Sequence, residues 1–236
     1  MIPKIIHLCW FSNESYPIEI RICLESWKRL LPDYEIKLWD YAAAKAINCD
    51  FLHEALSDHR WAFAADVVRF YAVYKYGGVY MDSDIELFQR FDALLDTGDF
   101  ITFCENDKPA EQEFGLQAAF FMGVKGNSFC KDMFQYYCRL HYRNADGSVM
   151  STISPYIMLE VARRYGFASL DEKQELPGMT VYPTYLLAPN NHYPIRPNTI
   201  GVHRIYGSWR KRSLWRKLEL RLKHLRTLIK YKWHAR

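Results

Sequence analysis

The order of apolar and polar residues along the chain predicts strands and helices in near-regular alternation. Lys4–Trp10 (KIIHLCW) is a β-branched apolar run bounded by Ser12 and Asn13, and reads as a buried first strand. Pro17–Leu31 follows as a helix, with proline in its first turn and Pro32 closing it. Tyr34–Trp39 alternates like a strand, and short helical stretches are expected at Ala42–Ile47 and Phe51–Leu56. A longer helix runs from about Arg60 to Tyr76. Its Phe63, Val67, Phe70 and Tyr74 form a core-facing stripe, and Gly77-Gly78 ends it where a left-handed backbone suits glycine. Extended chain resumes from Val79 to Leu87, with further strands at Asp99–Cys104 and Leu116–Val124. Helices are expected at Ser128–Leu140 and Thr152–Tyr165, the second stopped by Gly166; residues 177–197 read as loop and short strand. This alternation predicts an α/β domain on a central mixed, mostly parallel sheet, which binds ligands at the carboxyl ends of its strands.

At 236 residues the chain suits one domain with a small appendage. Half its residues are hydrophobic and 16% aromatic, which excludes a disordered or collagen-like class. No apolar run reaches the ~18 residues needed to span a bilayer, and Met1–Leu8 lacks the pattern of a signal peptide, so a cytoplasmic protein is expected. Six scattered cysteines with no Cys-x-x-Cys pair argue for reduced, buried thiols.

The net charge of +4 hides an asymmetry. Residues 210–236 carry eleven bases against one acid, leaving 20 bases against 26 acids in residues 1–209. Two units are therefore expected, a catalytic or binding body over 1–209 and a basic amphipathic helix over 210–236. In that tail Trp215, Leu218, Leu222, Leu225, Ile229 and Trp233 share one helical face, flanked by Arg216, Lys223, Arg226 and Lys230. Residues 213–236 thus read as a membrane-surface helix, each base adding about 1 kcal/mol near an anionic leaflet. That implies a peripheral protein at the inner face of the membrane. A helix packed back on the body is the alternative, and nucleic acid is not an expected partner.

The candidate chemistry centres on Asp82-Ser83-Asp84. Roughly one Asp-x-Asp triplet is expected by chance in a chain of this composition, so its setting carries the weight. In extended chain Tyr80, Asp82 and Asp84 point one way, about 6.6 Å apart along the strand, and Val79, Met81 and Ile85 the other. Converging carboxylates repel unless a cation lies between them, and Mg²⁺ or Mn²⁺ is the natural partner; a solvated acidic turn is the plain alternative. Upstream, Asp66 and Arg69 share a face of an otherwise apolar helix, as the lining of a polar cavity or as a surface ion pair. Downstream, Gly201–Trp209 brings together His203, a third metal ligand or an ordinary core histidine, with Ser208 and Trp209. Those last two either meet a phosphate and close the site, or cap a helix and anchor the core.

Four ordered blocks carry these residues: Ile2–Trp10, Ala64–Phe70, Tyr76–Asp84, and His203 through Ser208-Trp209. Together they resemble the DXD sugar-binding glycosyltransferases of glycosyltransferase family 32, and are similar to the catalytic core of the large clostridial glucosylating toxins. The resemblance implies a single GT-A nucleotide-sugar-binding domain over 1–209 that moves a hexose with retention. It implies Mn²⁺ or Mg²⁺, a nucleotide-sugar donor (a UDP-sugar favoured), and a saccharide or lipid-linked acceptor in capsule or other surface-polysaccharide synthesis. Carried over by position, Trp10 stacks on the base, and Asp66 and Arg69 hold donor sugar hydroxyls. Asp82 touches the ribose or an ion-bound water, Asp84 ligates the metal, and His203 joins them. Ser208 and Trp209 meet the β-phosphate and glycosidic oxygen. Tyr80 falls within the donor-binding blocks, and His7 fits the first-strand pattern either as a donor-binding residue or in a purely structural role. Two departures stand out: Arg204 follows His203 where relatives often have an aromatic or histidine, and Gln117 stands near the position of a sugar-facing asparagine. The competing classes are a non-catalytic nucleotide-sugar or glycan-binding module and a metal-dependent phosphohydrolase. The phosphohydrolase would need more metal ligands.

Overall fold

The computed structural model describes residues 1–106, 114–152 and 154–207; the tail helix expected over 210–236, with Ser208 and Trp209, lies outside them. Along the chain come β1 (Ile5–Cys9), α1 (Ile18–Leu30), β2 (Glu35–Trp39), α2 (Tyr41–Lys45), α3 (Asp50–Ser57), α4 (Trp61–Tyr76), β3 (Gly78–Met81) and β4 (Ile85–Leu87). A 3-10 turn at Asp92–Leu94 leads to β5 (Phe100–Glu105), β6 (Gly115–Leu116), β7 (Phe120–Gly123), α5 (Ser128–Cys138) and α6 (Ser154–Arg163). The strands β8 (Gln174–Leu176), β9 (Met179–Tyr182), β10 (Leu187–Ala188) and β11 (Gly201–His203) complete the described part.

The boundaries follow local chemistry. Pro17 precedes the first turn of α1, and the side chains of Asp40 and Asn127 accept from Ala43 N and Cys130 N to cap α2 and α5. Gly77 ends α4 at φ 68°, ψ −179°, a region essentially reserved for glycine. A Cβ there would lie 2.7 Å from the Lys125 amide nitrogen, so the chain passes close against the loop that leads to α5.

The main sheet has the order β2-β1-β3-β7-β5-β9-β8, with β6 pairing β5. The strands β1, β2, β3, β5 and β9 run one way, so their carboxyl ends share one edge. A second sheet, β10-β11-β4, is smaller. One face of the main sheet packs against α3, α4, α5 and α6, with Phe70 stacked on Phe121 at 5.1 Å. The other face is covered by α1 and the small sheet, around Ile6, Trp27, Met81, Ile85 and Phe120.

Four details differ from the sequence pattern. The stretch Val79–Leu87 is two strands in different sheets, broken by a turn in which Ile85 N donates to Asp82 O at 3.0 Å. Leu116–Val124 also splits: residues 117–119 leave the strand, and the carbonyls of Ala118 and Ala119 accept from the Arg69 guanidinium and the Asp82 amide. The hairpin β8–β9 begins at Gln174, where no element was expected, while its second strand falls in the stretch read as loop and short strand. The fourth is α4, which is buried on most of its circumference instead of along one stripe: Phe63 and Tyr74 are half-buried while Asp66 and Arg69 are enclosed. All six cysteines are free, four of them buried. Among the described residues no helix is long and apolar enough to cross a membrane.

Candidate active site

The two aspartates converge through the turn between β3 and β4, not through strand alternation. The Asp82 amide is held by Ala119 O at 2.8 Å, which fixes the exit from β3. The strand β4 is gripped from α1: Trp27 Nε1 donates to Ile85 O at 2.7 Å, and Leu87 N donates to Ser26 Oγ at 2.9 Å. Antiparallel pairing of β4 with β11 sets His203 opposite Ile85, beside Asp84. His203 Nε2 lies 3.4 Å from Asp84 Oδ1, and Tyr206 N donates to Asp84 Oδ2 at 2.8 Å. One ligand atom each from Asp82, Asp84 and His203 lies within 4.8 Å of the others.

Electrostatics tie the three together. Burial pushes the Asp84 carboxyl up, but the His203 charge and hydrogen bond, with the Tyr206 amide, hold it below the usual carboxylate range. Burial alone would depress His203; the charge of Asp84 and its hydrogen bond, then Asp82 and Glu105, raise it to about 9. The buried Nδ1 of His203 has no partner among the described residues. Two carboxylates and an imidazole converging on one point, with a ring nitrogen unsatisfied, fit a hard divalent cation.

Asp66 and Arg69 form a buried pair behind this cluster, not a surface one. Arg69 Nη2 lies 2.9 Å from Asp66 Oδ1 and 3.6 Å from Asp82 Oδ1, with both members of the helical pair under 10% exposed. The guanidinium also donates to Ala118 O at 2.7 Å and Ala65 O at 3.3 Å, and sits 4.9 Å above the Tyr80 ring. Arg69 thus joins α4, the end of β3 and the 117–119 turn. Burial drives the Asp66 carboxyl up to about 7 against the opposing charge of Arg69, and Asp82 pushes it the same way.

The remaining sequence candidates separate by environment. Tyr80 donates to Asp82 Oδ1 at 2.5 Å, but its ring is buried against Phe121, so its contribution is to orient Asp82. His7 is also engaged internally. Its Nε2 donates to Gly77 O at 2.8 Å and its Nδ1 accepts from Trp39 Nε1 at 3.2 Å, leaving neither nitrogen for a ligand. Trp10 is half-buried beyond β1, its indole N–H on Glu14 O at 2.9 Å and its ring 4.7 Å from Tyr16, edge-on. Gln117 is enclosed; its Oε1 accepts from Ala119 N, and its Nε2 has no partner among the described residues. Ser208 and Trp209 lie outside the described residues.

Two features escaped the sequence reading. Glu105, at the carboxyl end of β5, is 7% exposed and its charge reaches His203. Arg204 is buried against Glu86, with Nε 2.7 Å from Glu86 Oε2. Strand alternation could have placed Glu105, which shares the face of Ile101 and Phe103. No sequence signal marked Glu86 as the partner of Arg204.

The mixed α/β fold built on the β2-β1-β3-β7-β5-β9-β8 sheet is of the GT-A class. The solved structure titled "PaToxG Glycosyltransferase" superposes at a TM-score of 0.51, with 15% identity over 69% of this chain and 68% of that one. Residues 17–101 match the family described as "Glycosyltransferase sugar-binding region containing DXD motif". That stretch of the chain is similar to the family's sugar-binding region, a resemblance its motif blocks led us to expect. Two relatives from Schizosaccharomyces pombe (strain 972 / ATCC 24843) align with it. Inositol phosphoceramide mannosyltransferase 3 is 41% identical over 98 residues, 40% of this chain, and inositol phosphoceramide mannosyltransferase 2 is 36% identical over 99 residues, also 40%. The matches span only 27% and 28% of those relatives' lengths.

Proposed function

We propose that the chain is a cation-dependent glycosyltransferase that moves a hexose from a nucleotide-sugar to a saccharide or lipid-linked acceptor, with retention at the anomeric carbon. The observation that carries this is the convergence of Asp82, Asp84 and His203 within 4.8 Å at the strand ends, backed by the buried Asp66–Arg69 pair. Asp84 and His203 would hold the ion, with Asp82 on its flank. When bound, a divalent cation would neutralise charge building on the departing diphosphate.

The chain's own groups would do the rest. Trp10 would offer an aromatic face to the base, and Asp66, kept in place by Arg69, would accept from sugar hydroxyls. The Gln117 amide would supply a donor to the sugar, and Ser208 with Trp209 would meet the β-phosphate side. Retention would follow from same-face attack guided by the leaving phosphate. A uridine nucleotide is favoured by the family resemblance, and mannose is the hexose named in the two relatives. The basic segment 213–236 would hold the enzyme at an anionic, inner-membrane surface beside a lipid-linked acceptor.

The test is nucleotide release from a panel of nucleotide-sugars, with Mn²⁺, Mg²⁺ or EDTA, by the wild-type chain and Asp84→Ala. Cation-dependent release that falls about 10³-fold or more in the variant, roughly 4 kcal/mol of barrier, supports the reading. Undiminished turnover in EDTA contradicts it.

A further inference from the structure

We propose that Arg204 and Ile205 are positioning residues that clamp His203 and the Tyr206 amide onto Asp84. This rests on the ion-binding reading of Asp82, Asp84 and His203. The strand carrying His203 is only three residues long, and its partner β4 is equally short, so their ladder alone gives the imidazole little support. The structure adds a buried anchor. Arg204 N donates to Asp84 O at 3.0 Å, extending the pairing by one bond. The Arg204 guanidinium grips Glu86 Oε2 through Nε at 2.7 Å and Nη2 at 2.5 Å, and Asn191 Oδ1 through Nη1 at 2.7 Å. Asn191 Nδ2 returns to Arg204 O at 2.8 Å. Backbone and side chain of Arg204 are therefore closed by the same asparagine, and the opposite charges of Arg204 and Glu86 cancel beside the ion site.

The next residue is strained. Ile205 has φ 51°, a left-handed conformation that a β-branched side chain adopts only as an outlier. It is 52% exposed, so no burial of its own compensates. Its neighbours impose the turn: Asn191 holds the carbonyl before it, and Asp84 Oδ2 holds the Tyr206 amide after it at 2.8 Å. Strain kept at one residue while its two flanking peptides are fixed on a candidate site is what a positioning turn requires. Asp84 is thus touched by His203, Arg204 and Tyr206 in one short segment, and its carboxylate is oriented before any ion arrives.

The experiment is Mn²⁺ binding to the full chain, followed by the electron paramagnetic resonance signal of free Mn²⁺, without donor or acceptor. Ile205→Pro forces φ to about −65° and should weaken Mn²⁺ at least tenfold, whereas Ile205→Gly, which accepts the left-handed turn, should stay within about twofold. The double variant Glu86→Gln, Arg204→Met removes the anchor without stranding a charge and should weaken binding about tenfold. Arg204→Lys, charged but lacking the fork, should fall between it and wild type. Should the double variant not fold, Asn191→Ala gives the same reading, with an expected loss of about threefold or more. Native affinity in both Ile205→Pro and the anchor variant overturns the clamp. Absence of Mn²⁺ binding by the wild-type chain overturns the ion reading instead, and the clamp with it.

Discussion

Among the described residues two histidines are enclosed, His7 and His203, and their surroundings drive them in opposite directions. His7 lies in the middle of β1 with both ring nitrogens on protein partners, and burial lowers it to about 4, so it is a neutral strut between β1, β2 and the end of α4. His203 lies at the end of β11 against Asp84, with Asp82 and Glu105 nearby, and is raised to about 9 with one ring nitrogen unsatisfied. Burial acts the same way on both. What separates them is whether the neighbours complete the ring's hydrogen bonding or supply uncompensated negative charge. The first arrangement holds a fold together, and the second is the one we propose exchanges a proton for a cation.

The contrast can be broken at several points. The largest effect on stability is expected at the base of the site. Arg69→Met leaves Asp66 buried without its cation and should cost about 3–5 kcal/mol in denaturant unfolding. The loss should be greater at pH 8 than at pH 6, because at the lower pH Asp66 escapes by taking up a proton. An equal, small loss at both pH values would mean the pair is solvated.

Next comes the strut. The native pKa of His7 lies below the ordinary 6.5, so the unfolded chain binds the proton first as pH falls. Its contribution is complete above about pH 6.5 and is lost as pH falls to about 4, amounting to roughly 3 kcal/mol from the 1.36 kcal/mol per unit. The difference in unfolding free energy between wild type and His7→Gln should shrink over that window. A difference independent of pH would show that His7 is not held neutral. The smallest effect belongs to the surface. Arg90 bridges Asp33 and Asp92 with side chains 30–43% exposed, and Arg90→Ala should shift Tm least of these variants and less still in high salt.

Much of this was legible in the sequence because it depends on local pattern. The first strand, α1, the long helix and its glycine stop appear close to where periodicity and punctuation put them. The Asp82, Asp84 and His203 cluster was also reachable, since four ordered blocks pointed to one site. What the pattern missed is long-range. The DXD segment looks like continuous strand, yet turns because β4 pairs with β11, more than 110 residues away in sequence. His7 sits in a block that reads as donor-binding, but its partner is the Gly77 carbonyl, which only the β1–β3 pairing brings within reach. The Glu86–Arg204 anchor has no local signature either, because each residue alone is an ordinary charge and only the fold makes them a buried pair.

The most direct test is Mn²⁺ affinity measured from pH 6 to pH 9 on the wild-type chain and on His203→Ala. If Asp82, Asp84 and His203 hold one ion, each Mn²⁺ bound releases the His203 proton. Wild-type affinity should then climb about tenfold per pH unit and level off near pH 9, while the variant binds weakly with little pH dependence. Wild-type affinity that is flat across this range, or equal in the variant, would contradict the account.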